Sequence, residues 1–84
     1  MITVRFFASF REKLDTRQLE LALPEARCTV AGLVSQLIAD RDEAWAEVLT
    51  SPNLLVAVNH VACDRQQVLE EGDEVAFYPP VTGG

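Results

Sequence analysis

The chain has little of what side-chain catalysis and metal binding require. It holds one histidine and two cysteines in 84 residues. Cys28 and Cys63 show no CxxC spacing and are too few for a disulfide scaffold, so they read as reduced thiols of a cytosolic protein. His60 has no cluster of potential ligands around it, which argues against a metal site. No Ser/His/Asp or Cys/His arrangement is visible. Cys63 is either an inert thiol or a nucleophile, and nothing near it in sequence would lower its pKa. The seven basic residues are scattered, and the net charge is −6. A nucleic acid demands a positive footprint, so that partner class is excluded, as is an anionic membrane surface. No segment approaches the roughly 18 apolar residues of a membrane span, and no signal peptide opens the chain. A cytoplasmic location is expected.

What remains is one small domain. The hydrophobic fraction is 49% and the charged fraction 24%, ordinary values for a folded globular domain. A partner with basic patches suits the acidic charge, because opposite fields speed encounter. The acidic run Glu70, Glu71, Asp73 and Glu74 is either a solvated loop or a docking feature for such a partner.

The first residues alternate. Ile2, Val4 and Phe6 share one face of a strand, with Thr3, Arg5 and Phe7 on the other. Phe7 is out of place on the polar face. It is either core, through twist at the strand end, or an exposed aromatic meant for a partner. A loop containing Asp15 and Thr16 leads to a second strand with Leu19, Leu21 and Leu23 inward, ended by Pro24. The period then changes. Val30, Leu33, Val34, Leu37 and Ile38 form one helical stripe behind the N-cap candidate Thr29. Gly32 weakens this helix and suggests close packing on the sheet. Trp45 and Leu49 share a face of a shorter helical piece. "LLVAVN" reads as a central strand, Asn59-His60 as a turn, "VAC" as a short strand, Gly72-Asp73 as a turn. "EVAFY" is the last strand, with Val75 and Phe77 on one face. The order predicts an α+β domain: a mixed sheet with one main helix packed on one face, the β-grasp or ubiquitin-like arrangement.

The ending "YPPVTGG" carries the functional signal. Pro79 and Pro80 fix φ, lack N–H donors and stop the sheet. The reading is a domain over 1–78 and a flexible tail over 79–84. That tail spans roughly 20 Å at about 3.3 Å per residue, enough to enter a pocket of another protein. Gly83 and Gly84 let a narrow channel close around bare backbone. A carboxylate is a poor electrophile. Joined to AMP it gains a good leaving group, which a sulfur nucleophile or an amine then displaces. A terminal glycine leaves that carbon sterically open. The competing reading of Gly-Gly alone is a frayed end or an appended scar.

The chain resembles the family of molybdopterin synthase small subunits, sulfur carriers of molybdenum cofactor biosynthesis. The resemblance runs over the whole chain and concentrates in three places: "VRFFASFRE" with its FFA-x-x-RE pattern, "LLVAVN", and "LEEGDEVAFYPPVTGG". It implies that Gly84 is adenylated, with ATP, by an adenylyltransferase related to ubiquitin-activating enzymes, and becomes a thiocarboxylate. Pro79, Pro80, Val81, Thr82 and Gly83 would then thread the active site of the large subunit of the synthase. There the sulfur passes to cyclic pyranopterin monophosphate, building the dithiolene. The family complex is a heterotetramer. No bound cofactor is implied, and the assisting side chains lie on the partners, so the chain is the sulfur-donor subunit of a sulfurtransferase complex. The resemblance favours the partner reading of Phe7 and adds Tyr78 and Ala62 as docking positions. A larger apolar residue is common near Ala62, and phenylalanine is usual at Tyr78. Cys28, His60 and Cys63 receive no role. The rival readings are a sulfur carrier for a thiamine or cysteine route, a ubiquitin-like modifier joined to lysines, and a plain interaction domain.

Overall fold

Alternation at the start of the chain does what it predicts. Ile2, Val4 and Phe6 are buried in strand β1 (Ile2–Phe6), while Thr3 and Arg5 between them are half-exposed. The structure is a computed structural model that describes residues 1–80. The readings placed on Val81, Thr82, Gly83 and Gly84 lie outside those residues.

The connection after β1 is not only a loop. Ser9–Leu14 forms helix α1, with Phe10 and Leu14, one turn apart, both buried. Ala8 enters it at φ 53° and Asp15 leaves it at φ 50°, its backbone N–H bonded to carbonyls of the last turn. The i, i+4 pair was visible, but a six-residue helix between two extended segments offers no longer stripe to read. Strand β2 (Gln18–Leu21) then returns antiparallel to β1, with Leu19 and Leu21 packed against the core.

Helix α2 (Val30–Ala39) begins where expected. The Thr29 hydroxyl accepts a hydrogen bond from the Gly32 N–H at 3.2 Å, satisfying one of the orphan donors of the first turn. Val30, Leu33, Val34 and Leu37 are buried, and Ile38 packs at the margin. Gly32 does not serve an approach to the sheet. A Cβ there would meet the sulfur of Cys28 at 3.1 Å, so the missing side chain makes room for that thiol. Helix α3 (Glu43–Leu49) is capped by Asp42, whose side chain accepts from the Ala44 N–H at 3.1 Å, and it buries Trp45, Val48 and Leu49. The indole stands edge-on to Phe6 at 5.2 Å, a favoured aromatic geometry. Phe6 in turn stacks on Phe77 at 5.9 Å.

The remaining strands are β3 (Leu55–Val58), β4 (Val61–Cys63) and β5 (Glu74–Tyr78), and the sheet order is β2-β1-β5-β3-β4. The last strand enters the middle, parallel to β1 and antiparallel to β3. "LLVAVN" is therefore an internal strand, one place from the centre. Val56, Val58, Val75 and Phe77 join Ile2, Val4 and Phe6 in one core cluster with the buried residues of the three helices. The helices thus cover one face of a mixed sheet, the β-grasp arrangement.

The turns are built from polar side chains. Asn59 and His60 take positive φ (51° and 70°) between β3 and β4, as a two-residue hairpin turn requires. Asn59 Nδ2 donates to Asp73 Oδ1 at 2.9 Å, and the Glu74 N–H donates to Asn59 Oδ1 at 3.0 Å. Gly72 sits at φ 91°, where a side chain would be strained. Asp73 also accepts from the Glu70 N–H at 2.8 Å. The acidic run is thus partly structural: Asp73 ties two turns, and Glu71 meets the N-terminal amine.

Both cysteines are free. Cys28 is buried and its thiol donates to the Thr29 carbonyl at 3.3 Å. Burial pushes that thiol upward, and Glu25 adds to it. Cys63 is half-buried and shifts the same way through burial and then Asp64, partly offset by a backbone hydrogen bond at Val58. Neither has the depressed pKa of a nucleophile. Among the described residues no group of three or more His, Cys, Asp or Glu is placed to hold a metal ion, and no helix is long and apolar enough to cross a membrane.

Two outcomes are expected. Gly32→Ala gains helix propensity of up to about 1 kcal/mol but presses on Cys28 Sγ. It should therefore be more favourable in a Cys28→Ala background than alone, in a denaturation cycle; equal effects in both backgrounds would show that the thiol does not constrain this site. The raised thiols also have a sign. A folded thiol that holds its proton to higher pH than the unfolded one, about 8.5, stabilises the fold fully below that value and loses the effect as pH rises through the folded pKa. Denaturation midpoints from pH 7 to 10 should fall more steeply in wild type than in a Cys28→Ala, Cys63→Ala variant.

Candidate functional site

On the face of the sheet opposite the helices the strand registers define the rows, and Ala57 and Ala76 at its middle are buried. Arg5 pairs with Ala76, Ala76 with Ala57, and Ala57 with Ala62. Three small residues thus lie side by side across β5, β3 and β4. The next row begins where β1 ends. The Phe7 N–H donates to the Phe77 carbonyl at 3.2 Å, extending the parallel ladder by one residue and setting Phe7 beside Tyr78. Tyr78 pairs with Leu55 on its other side.

This answers the question raised by Phe7. It is not core, and it is not a free-standing aromatic. Its ring stacks on Tyr78 with centroids 4.7 Å apart and planes 9° from parallel. Both residues are half-buried. Leu55 completes the row with 46% of its surface exposed. Sequence reasoning missed Leu55, although the inward pair Val56 and Val58 already implied by alternation that position 55 faces outward. It also missed Arg5, whose guanidinium lies 5.2 Å from the centre of the Phe7 ring, within cation–π range.

Ala62 is exposed and shares this face, but it stands on the edge strand, two strands and one row away from Tyr78. The structure brings Phe7 and Tyr78 into contact and leaves Ala62 at the margin of the same surface. The larger apolar exposure near it is Val61, at 67%.

The last strand ends at this platform. β5 ends at Tyr78, and Pro79 and Pro80, both half-buried, follow it. Neither can donate to a ladder, so strand pairing stops at the centre of the sheet, with Phe7 on one side and Leu55 on the other. Val81, Thr82, Gly83 and Gly84 are beyond the described residues. A cavity of about 360 Å³ between α1 and α3 is lined by Phe10, Lys13, Ala44, Glu47, Val48 and Ser51.

The chemistry of the face is that of binding. Flat aromatic and small apolar groups can exclude water against a partner, and one guanidinium can pair with a charge. His60 sits in the β3–β4 turn, its Nε2 3.6 Å from Glu74 Oε2. Cys63 points with Val56 to the helix side. Neither is assembled with a second group at the end of β5.

Known proteins share this architecture and sequence. The molybdopterin synthase sulfur carrier subunit of Escherichia coli is 42% identical over 84 residues, and that of Haemophilus influenzae is 37% identical over 84; the match covers 100% of this chain and of each relative. Among solved structures, SAMP1 from Haloferax volcanii superposes with a TM-score of 0.77 at 22% identity, covering 99% of this chain and 98% of its own. A complex of subunits 1 and 2 of the molybdopterin-converting factor from Helicobacter pylori gives 0.69 at 23%, covering 99% and 97%. At these identities the two structures speak for the ubiquitin-like fold alone. Residues 4–84 match the ThiS family, and with full-length relatives above 30% identity the chain belongs to that family.

Proposed function

We propose that this chain is the sulfur-carrier subunit of a molybdopterin synthase. The observation that carries the reading is 37–42% identity over the full length to two subunits of that name, with Pro79 and Pro80 following β5 beside the Phe7–Tyr78 stack. In this reading residues 1–78 are the carrier body and 79–84 the delivering tail, working in the cytoplasm.

The steps follow from carboxylate chemistry. An oxygen of the Gly84 carboxylate attacks the α-phosphorus of ATP, and pyrophosphate leaves. The resulting acyl adenylate carries AMP as a leaving group. Sulfide-level sulfur displaces AMP and yields the thiocarboxylate; its sulfur bonds to a carbon of the pterin substrate, and water then cleaves the acyl–sulfur bond, leaving sulfur on the pterin and returning the Gly84 carboxylate. An adenylyltransferase of the ubiquitin-activating type supplies the first site, and the large subunit of the synthase the second. The solved Helicobacter pylori complex of subunits 1 and 2 supports the second partner. The chain's own work is presentation. Phe7 and Tyr78, with Ala62 at the edge, dock the partner. Pro79, Pro80, Val81, Thr82 and Gly83 carry Gly84 into its active site. Gly83 and Gly84 let a narrow channel close around bare backbone.

Deleting Gly84 should abolish molybdopterin formation in a reconstituted synthase and change unfolding stability by less than about 0.5 kcal/mol; retained activity would rule the carrier reading out. Phe7→Ala and Tyr78→Ala should each weaken binding of the large subunit by about 2 kcal/mol, roughly thirtyfold in Kd, measured by calorimetry. Unchanged affinity in both would move the docking surface elsewhere. Recovery of the chain joined to lysines in cell extract would favour the modifier reading. Sulfur on Gly84 that reaches a thiamine or cysteine route and not a pterin would favour another carrier pathway.

A further inference from the structure

Arg5 stands on the face opposite the helices between two unlike rows: the apolar row of Phe7, Tyr78 and Leu55, and the polar row of Thr3 and Glu74. It is the one basic residue that the strand registers place in these rows, on a chain of net charge −6. Its bonding is incomplete. Nη1 lies 3.7 Å from Glu74 Oε2, too long for a hydrogen bond. Nε is buried and has no hydrogen-bond partner among the described residues. The Phe7 ring holds the guanidinium from one side, and 36% of the side chain is still exposed. Glu74 is shared, since His60 Nε2 approaches the same oxygen at 3.6 Å. The other polar groups that face this point are Gln18 opposite Arg5 and Glu20 opposite Thr3, both on β2.

A guanidinium oriented by an aromatic ring and weakly paired is prepared to take a better acceptor. A carboxylate meets its fork with two parallel hydrogen bonds, a geometry that neither water nor a distant Glu74 reproduces. Elsewhere along these rows a partner's carboxylate would face Glu74, Glu20, apolar surface or the neutral Thr3 and Gln18. Arg5 is the one position in these rows that offers it a positive charge.

We propose that Arg5 is a specificity-determining contact: an Asp or Glu side chain of the synthase large subunit pairs with it when the apolar row docks. The inference rests on the proposed function and adds the chemistry of recognition. Net charge draws a partner with a basic surface over long range. The Arg5 contact has the opposite local sign, and so fixes the register in which the tail is delivered.

The signs separate these two effects. Arg5→Gln removes one positive charge and takes the net charge from −6 to −7, which by long-range attraction alone strengthens binding to a basic partner. The proposed contact predicts the reverse. In calorimetric titrations of the full chain with the large subunit from the same organism, Arg5→Gln should weaken binding about tenfold at low salt. The deficit should shrink as salt is raised through about 0.5 M. Arg5→Lys, which keeps the charge without the fork, should recover part of the loss. The denaturation midpoint of each variant shows whether the fold is kept. Equal or tighter binding by a folded Arg5→Gln, or a deficit indifferent to salt, overturns the inference alone. Failure of wild type to bind the large subunit overturns the function on which it rests, and the inference with it.

Discussion

The parallel pairing of the first strand with the last is the interaction on which the molecule depends. Its ladder runs from the Gly72 N–H on the Met1 carbonyl, through Thr3 on Asp73, to Phe7 on Phe77. It joins residues at opposite ends of the chain, so the entropy of closing nearly the whole length is lost before the contact forms. The helices and the β3–β4 hairpin supply the compensating burial around Phe6, Phe77 and Trp45. Because β5 lies at the centre of the sheet, its last residue emerges between two neighbours, not at an edge. The same pairing that completes the core thereby sets Phe7 beside Tyr78 and fixes the point at which Pro79 and Pro80 follow the last strand.

This arrangement separates holding from chemistry. One face of the sheet is committed to the core by the alternation of Ile2, Val4, Phe6, Val75 and Phe77. The other carries alanines, two stacked aromatics, Leu55, Arg5 and a polar row of Thr3, Glu74 and Glu20. Its apolar row of Phe7, Tyr78 and Leu55 is the part that another protein can cover at little desolvation cost. In the proposed function no acid, base or nucleophilic side chain is needed on this chain. The raised thiols and the solvent-facing His60 agree with that division.

Much of the fold was legible because local periodicity and burial coincide. The β1 alternation, the α2 stripe behind Thr29 and the turn at Gly72 follow from side-chain spacing and backbone freedom, and the structure keeps them. What stayed hidden depends on contacts between distant residues. No local pattern places β5 next to β1, so the strand "LLVAVN" read as central lies one place off. Helix α1 is too short to show a period, and its entry at Ala8 uses a positive φ that alanine does not advertise. Gly32 suggested a close approach, but its neighbour is the Cys28 sulfur four residues earlier. For the site, alternation put Phe7 on the polar face and could not say what it would meet there. The stack with Tyr78, the outward Leu55 and the loosely paired Arg5 all require the register. The reading of a tail rests on composition, two prolines and two glycines around Val81 and Thr82, and residues 81–84 lie outside the described ones.

The central claim is that the fold exists to present the carboxylate of Gly84 for activation and sulfur loading. Its most direct test is the intact mass of the chain, with fragmentation of the C-terminal peptide, after incubation with ATP, a sulfur donor and the activating enzyme. The account predicts exchange of one carboxylate oxygen for sulfur, localised to Gly84. Fragmentation separates this from oxidation at Met1, Cys28 or Cys63, which adds nearly the same mass. A Gly84 that is never adenylated by an enzyme active on another carrier would contradict the account.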